Sequence, residues 1–357
     1  MKKLIHPLII TLLVVIIIIS LQFLRSKSTV AFTEKELREA ALKHNLIPVP
    51  KTYAGVFKVT DNPENPLSNE KIALGEKLFS DIRLSKDKTI SCASCHMLQE
   101  GGDDNVPTAI GFHGRANPFH LNSPTVLNAA LAKAQFWDGR AKDVEAQAGG
   151  PMQAPFEMNM TPKEVEERLN ADTALKEKFR MVFGTEDITF KNVRKVIGAY
   201  ERTLLTRGAY DRFLEGKDTA ISDKAKRGMA LFITKGCSGC HTGMSVGGQS
   251  IQRFPLRRYL SDYMGLWFEP DIRLKESPFP FVNKGGFLGK DNRLMFRVPI
   301  LRNITKTAPY FHNGSVDTLE EAVRIMSKYQ VGDEFTKEQI GDVVAFLKTL
   351  EGKIVEK

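Results

Sequence analysis

Four cysteines occur in the 357 residues, and all four sit in two pentapeptides of one pattern, Cys92-Ala-Ser-Cys95-His96 and Cys237-Ser-Gly-Cys240-His241. A chain that commits every thiol to C-x-x-C-H has to fold around whatever those motifs hold. The pattern reads as a c-type haem attachment site. Two thiols three positions apart lie on nearly the same side of a helical turn and can form thioethers with one porphyrin edge, while the following His turns its imidazole toward the iron. A zinc site would bring its Cys pairs within about 15–20 residues of each other, and a thioredoxin-like redox pair would sit in a βαβ pattern. Neither requires the trailing His. A disulfide framework explains neither the His nor the duplication, so two covalently bound haems are expected.

The N-terminus bears on the compartment. Lys2 and Lys3 precede a run from Leu8 to Leu24 that is apolar apart from Thr11, Ser20 and Gln22. Extended back to Leu4, the run reaches the about 20 residues of a membrane span. The apolar core of a cleaved signal is about 7–15 residues, and the candidate cleavage site Thr29-Val30-Ala31 lies beyond Arg25 and Lys27. Residues 1–30 are therefore expected to be an export signal or membrane anchor, with an uncleaved inner-membrane anchor through residues 4–24 favoured. Lys2 and Lys3 would keep the tip cytoplasmic and send the remainder into the periplasm, against the weaker pull of Arg25 and Lys27. Covalent haem attachment and an exported chain agree with each other. A composition of 26% charged and 42% hydrophobic residues is a globular balance, and the length suits about two domains. The net charge of +9 is concentrated in part at the N-terminus. No basic cluster resembles a nucleic-acid-binding arm, so no nucleic-acid partner is expected.

The chain also repeats itself around the two motifs. Gly75-Glu-Lys-Leu78-Phe79 precedes the first and Gly228-Met-Ala-Leu231-Phe232 the second. Downstream, Val193–Leu204 and Ile340–Leu350 carry apolar residues at helical spacing, as expected of two helices that close a domain over its haem. Ser222, Thr161-Pro162 and Thr336 read as helix starts, near 223–234, 162–170 and 337 onward. Long alternating strands are absent. The segments 97–125 and 242–299 are rich in Gly, Pro, Asn and aromatics, and are too long for plain connectors, so they are candidate active-site or interface loops. The fold class expected is all-α, with two cytochrome-c-like haem domains in tandem behind the N-terminal anchor or signal helix. The layout is 1–30 signal or anchor, 31–66 linker, 67–216 N-terminal haem domain and 217–357 C-terminal haem domain, with the boundary at "LEGKDTAIS" (214–222).

Beyond the haem motifs, "GGDDNVPTAIGFH" (101–113), "NSPTVLNAA" (122–130), "QFWDGRAKDVEAQAGGPMQAPFEM" (135–158) and "FRVPILRNITKTAPYFHNGSVDTLEEAVRIM" (296–326) occur in a specific order. From about residue 67 to the C-terminus the chain resembles the bacterial di-haem cytochrome c peroxidases. The resemblance implies inequivalent haems: the N-terminal one reduces peroxide, and the C-terminal one stores an electron at higher potential. It implies His96 and His241 as proximal iron ligands and Cys92, Cys95, Cys237 and Cys240 as the thioether cysteines. Met326 would be the second haem's sixth ligand, its soft thioether favouring ferrous iron; as a residue of an amphipathic helix it reads equally as core. His113 would be the first haem's displaceable distal ligand, with His120 as its competitor.

The remaining implied roles surround the first haem and the domain junction. Glu157 would be the acid–base group over the peroxidatic haem, assisted by Gln147. Trp137 would stand between the haems, carrying electrons, wedging the domains together, or both, with Arg140 able to meet a propionate. A calcium ion would take the Asn122 side chain and the carbonyls of Thr307 and Pro309, with waters completing a shell of about 6–8 oxygens. The implied partners are hydrogen peroxide and a small electron-donor protein, a c-type cytochrome or a copper protein; a homodimer is compatible. Two rivals stand beside a peroxidase: a di-haem oxidase that matures a quinone cofactor on a partner protein, which has Tyr where this chain has Met326, and a non-catalytic electron carrier.

Overall fold

The computed structural model describes residues 32–257 and 277–357. The expected anchor or signal at 1–30 lies outside the described residues. Among the described residues no helix is long and apolar enough to cross a membrane.

The N-terminal domain is built on helices α3 (Asn69–Phe79), α5 (Val144–Gln153), α6 (Pro162–Asn170), α7 (Thr173–Phe183) and α8 (Phe190–Glu201), with the one-turn helix α4 (Cys92–Cys95) carrying the first motif. The C-terminal domain uses α9 (Ala209–Leu214), α10 (Asp223–Thr234), α11 (Leu319–Met326) and α12 (Lys337–Thr349). The starts legible in the sequence are side-chain caps: Thr161, Ser222 and Thr336 accept the N–H groups of Glu164, Ala225 and Gln339. Among the described residues, strand is confined to two antiparallel ribbons, β1 (Thr206–Gly208) with β4 (Gly352–Ile354) and β2 (Ile251–Arg253) with β3 (Met295–Arg297). The expected all-α fold is thus helical apart from these three-residue pairs.

The internal repeat is physical. In α3, a Cβ on Gly75 would meet the Val196 carbonyl of α8 at 1.9 Å; in α10, a Cβ on Gly228 would meet the Asp342 carbonyl of α12 at 1.8 Å. Only glycine lets either pair of backbones come so close. One turn on, Phe79 packs edge-on to Tyr200 with ring centres 5.4 Å apart, and Phe232 packs on Phe346 at 5.2 Å. Both phenylalanines then reach the motif histidine, Phe79 to His96 at 6.4 Å and Phe232 to His241 at 6.2 Å. Each Gly-x-x-Leu-Phe helix therefore holds a crossing helix on one side and an attachment motif on the other.

Two connecting segments take part in the packing. The segment 31–66, expected as a linker, forms α1 (Glu34–Lys43) behind a Thr33–Glu36 capping box and α2 (Tyr53–Thr60). Leu37, Ala41 and Leu46 are buried in the C-terminal core, so the segment packs instead of merely connecting. Tyr210 and Phe213 belong to that same core. The C-terminal core thus draws on residues just ahead of 214–222. Within "LEGKDTAIS" itself, Leu214 and Ile221 are buried in this core, and the polar residues between them form a short 3-10 turn at Asp218–Ala220.

Candidate active site

Two cavities lie one in each domain. The N-terminal cavity, about 430 Å³, is lined by Cys92, Cys95, His96, Gln147 and Glu157. The C-terminal one, about 460 Å³, is lined by Cys237, Cys240, His241, Met326 and Arg297. Asn122, Ser123, Pro124 and Trp137 belong to both linings, so one short wall separates them.

The donor sets suit porphyrin better than a metal–thiolate centre. All four thiols are unpaired. Burial pushes Cys95 and Cys237 up to about 12, Cys92 higher still, and Cys240 in the same direction. Thioether formation consumes such a protonated thiol without leaving a buried charge. Among the described residues no group of three or more His, Cys, Asp or Glu could hold a metal ion. Burial also lowers both imidazoles, His241 to about 4, keeping them neutral and able to ligate. His96 Nδ1 donates to the Gly102 carbonyl at 3.1 Å, which leaves Nε2 for an iron. In the C-terminal cavity, Arg297 is 3% exposed and its Nη1 has no partner. Burial alone lowers it to about 10. A buried guanidinium without a carboxylate is costly, and a haem propionate is the anion its cavity calls for.

Glu157 and Gln147 share the N-terminal cavity with His96. Gln147 projects from α5, which starts at the Asp143 cap. Glu157 follows the end of α5, and burial raises its carboxyl, opposed by Arg140. Arg140 is exposed, pairs with Asp138 at 2.9 Å and lies over the Phe136 ring at 3.6 Å. Met326 ends α11 where a π-helical turn, Ser327–Val331, begins. Trp137 donates from Nε1 to the Asn122 carbonyl at 2.9 Å and meets the buried His312 ring edge-on at 6.4 Å.

His113 is not brought to the cavity that holds Cys92, Cys95 and His96. It is exposed, with a left-handed φ of 56°, beside the Phe112 ring and outside the residues lining either cavity. His120 is outside them too, its Nδ1 3.0 Å from Thr108 Oγ1. The His113 loop is nevertheless tied to the acid: Phe112 N–H donates to the Glu157 carbonyl at 2.7 Å, and a Cβ on Gly111 would strike the Phe156 carbonyl at 2.2 Å. Asn122, Thr307 and Pro309 gather at the domain junction, all lining the C-terminal cavity. The Asn122 amide nitrogen faces the carbonyls of Val106 at 2.9 Å and Pro309 at 3.4 Å.

The structure adds residues that the sequence reading passed over. Arg297 is a lone cation among apolar neighbours in "FRVPIL" (296–301). Glu201 lines the N-terminal cavity and is raised to about 8 by burial, with Glu145 adding to the effect. It continues the apolar face of α8 at Val193 and Ile197, where an acid four residues on is itself a signal. Asp103 is fully buried with neither carboxyl oxygen partnered, and burial beside Asp104 lifts it to about 7.

Residues 69–219 match the family model for di-haem cytochrome c peroxidase, and residues 225–351 match that for cytochrome c. The chain is 41% identical to the cytochrome c551 peroxidase of Nitrosomonas europaea over 81% of both chains. It belongs to the di-haem cytochrome c peroxidase family. The cytochrome c551 peroxidase of Pseudomonas aeruginosa is 40% identical over 83% of both chains. A MauG-like protein associated with microbial copper homeostasis superposes with a TM-score of 0.68 at 26% identity, covering 83% of this chain and 94% of that one. Membership in the family makes the chain an oxidoreductase with two c-type haems and hydrogen peroxide as acceptor.

Proposed function

We propose that this chain reduces hydrogen peroxide to water in its N-terminal cavity, with electrons that enter singly from a small periplasmic redox protein through the C-terminal cavity. The supporting observation is the asymmetry of the two linings. Glu157 and Gln147 face the first cavity; Met326 faces the second. Two haems held by these linings would supply the iron redox chemistry, electron storage at the second and peroxide reduction at the first. Around them the protein manages protons and positions. Peroxide must lose a proton from one oxygen and gain one on the oxygen that leaves. The Glu157 carboxyl, raised by burial, is suited to carry that proton. Gln147 would orient peroxide by hydrogen bonding.

His113 would serve as the displaceable ligand, which requires its loop to swing inward from the exposed position. Gly111 and Gly114 flank it, and the Phe112–Glu157 bond makes that loop sensitive to the acid's backbone. Trp137, common to both linings, would carry electrons as well as fill the wall. Arg297 would hold a propionate of the C-terminal haem. Calcium at Asn122, Thr307 and Pro309 would need the Asn122 amide turned over, so that its oxygen faces the ion. Lys2, Lys3 and the apolar run after them support an inner-membrane anchor with the enzyme in the periplasm; a homodimer is compatible with this reading.

Met326 favours the peroxidase over the quinone-maturing di-haem oxidase, which has Tyr there. Stopped-flow mixing of the half-reduced protein with peroxide tests the proposal against a pure electron carrier. Rapid oxidation in proportion to added peroxide is expected, and an inert half-reduced protein would overturn it.

A further inference from the structure

The two attachment motifs differ in their variable residues, and the difference shows in their bonding. In Cys92-Ala-Ser-Cys95, the hydroxyl of Ser94 accepts the Ser91 N–H at 3.0 Å, so the turn is closed from within. In Cys237-Ser-Gly-Cys240 that position is Gly239, which has no side chain to do this. The serine sits one place earlier, at Ser238, which is 2% exposed and bonds outward: its Oγ is 2.9 Å from His44 Nδ1. Beyond the motif, the Asn45 carbonyl accepts the Gly243 N–H at 2.8 Å. Both flanks of His241 are therefore held by residues 44 and 45, which lie before the family-matched regions at 69–219 and 225–351.

The anchorage of His44 is firm on both sides. Upstream, α1 buries Leu37 and Ala41 in the C-terminal core, Arg38 pairs with Asp218, and Glu34 pairs with Lys226 at 3.0 Å. Downstream the chain crosses the domain junction. Val49 N–H donates to Asp211 Oδ1 at 2.8 Å, and this carboxylate also receives Arg302 at 2.7 Å. The carbonyls of Thr60 and Asn65 accept from the Arg202 guanidinium, and Asn65 Nδ2 donates to Glu145 Oε1 at 3.0 Å. Glu145 lies on α5, two residues before Gln147.

We propose that His44 is a positioning residue for the C-terminal haem, holding its attachment loop through Ser238, on a strap that registers this loop against the N-terminal domain. The loop carries both thioether cysteines and His241. Polar partners outside the ligand sphere set ligand orientation and hence the metal's properties, so the effect is read at the second haem's potential. The proposal rests on Cys237–His241 being a haem attachment site.

The test uses the full holoprotein and the variants H44A, H44Q, S238A and H44A/S238A, with both haem potentials followed by equilibrium redox titration. H44A and S238A should shift the C-terminal potential in the same direction, the double variant should shift it no further, and H44Q should restore it in part. The N-terminal potential should stay put. Unmoved C-terminal potentials, or single shifts that simply add in the double variant, would overturn the role of His44. If H44A loses its fold, S238A decides, because it removes only a hydroxyl. Mass measurement separates the two kinds of failure: a chain lacking the second covalent haem overturns the attachment assignment and this proposal with it, whereas two haems with an unmoved potential overturn His44 alone.

Discussion

At the scale of single residues, the chemistry turns on where acids are buried. Glu157→Gln keeps size and hydrogen bonding but cannot carry a proton. Peroxide cleavage by the half-reduced variant should slow by roughly 10²–10⁴-fold in single-turnover measurements, with both haem potentials unchanged. Met326→His replaces a soft thioether with imidazole and should lower the C-terminal potential, so that mild reductants no longer half-reduce the protein; the same redox titration checks it. Glu201 gives a stability effect with a definite sign. Its pKa is pushed from 4.5 to about 8, so between those values the folded chain keeps a proton that the unfolded chain has released. Stability therefore falls as pH rises through that window. Glu201→Gln should melt higher than the parent at pH 8 and alike at pH 4. The haem cysteines and histidines were legible because motif spacing alone marks them. Glu157 was legible only through family resemblance, since no local pattern separates it from other acids, and His44 left no trace because its partner lies far along the chain.

At the scale of elements, the helix pairs are held by backbone contact that only glycine permits. Gly228→Ala would drive a methyl into the Asp342 carbonyl of α12, and overpacking of this kind costs about 1–3 kcal/mol. Denaturant unfolding should show the loss, together with a disturbed spectrum of the second haem, because Phe232 leads from that helix to His241. These helices were readable from caps and apolar spacing, which are local signals. The β1–β4 ribbon was not, since it joins residues 206–208 to 352–354 and each strand is too short to alternate. The His113 loop was recognisable as a loop, but its exposed position follows from the close approach of Gly111 to the Glu157 backbone, a tertiary fact.

At the scale of the whole molecule, a buried ion pair of the C-terminal domain also receives the strap that precedes the N-terminal domain. Arg302 and Asp211 are both 0% exposed at the side chain and pair at 2.7 Å, with the Val49 N–H on the same carboxylate. Arg302→Met would leave that carboxylate buried and unpaired, a loss of about 3–5 kcal/mol, measurable by denaturant unfolding of the holoprotein. The tandem arrangement was evident from the duplicated motifs. The strap over 33–65 was not, because its apolar residues are divided between two short helices and the loop joining them, a pattern that a surface segment shares.

The wall formed by Asn122, Ser123, Pro124 and Trp137 has a bearing on biogenesis. Each cofactor, once attached, would brace a partition that the other cofactor leans on. Maturation of the two halves is then interdependent: a chain whose first motif is ablated would present the second pocket with one side unsupported, and its remaining haem would be seated less firmly than in the complete protein.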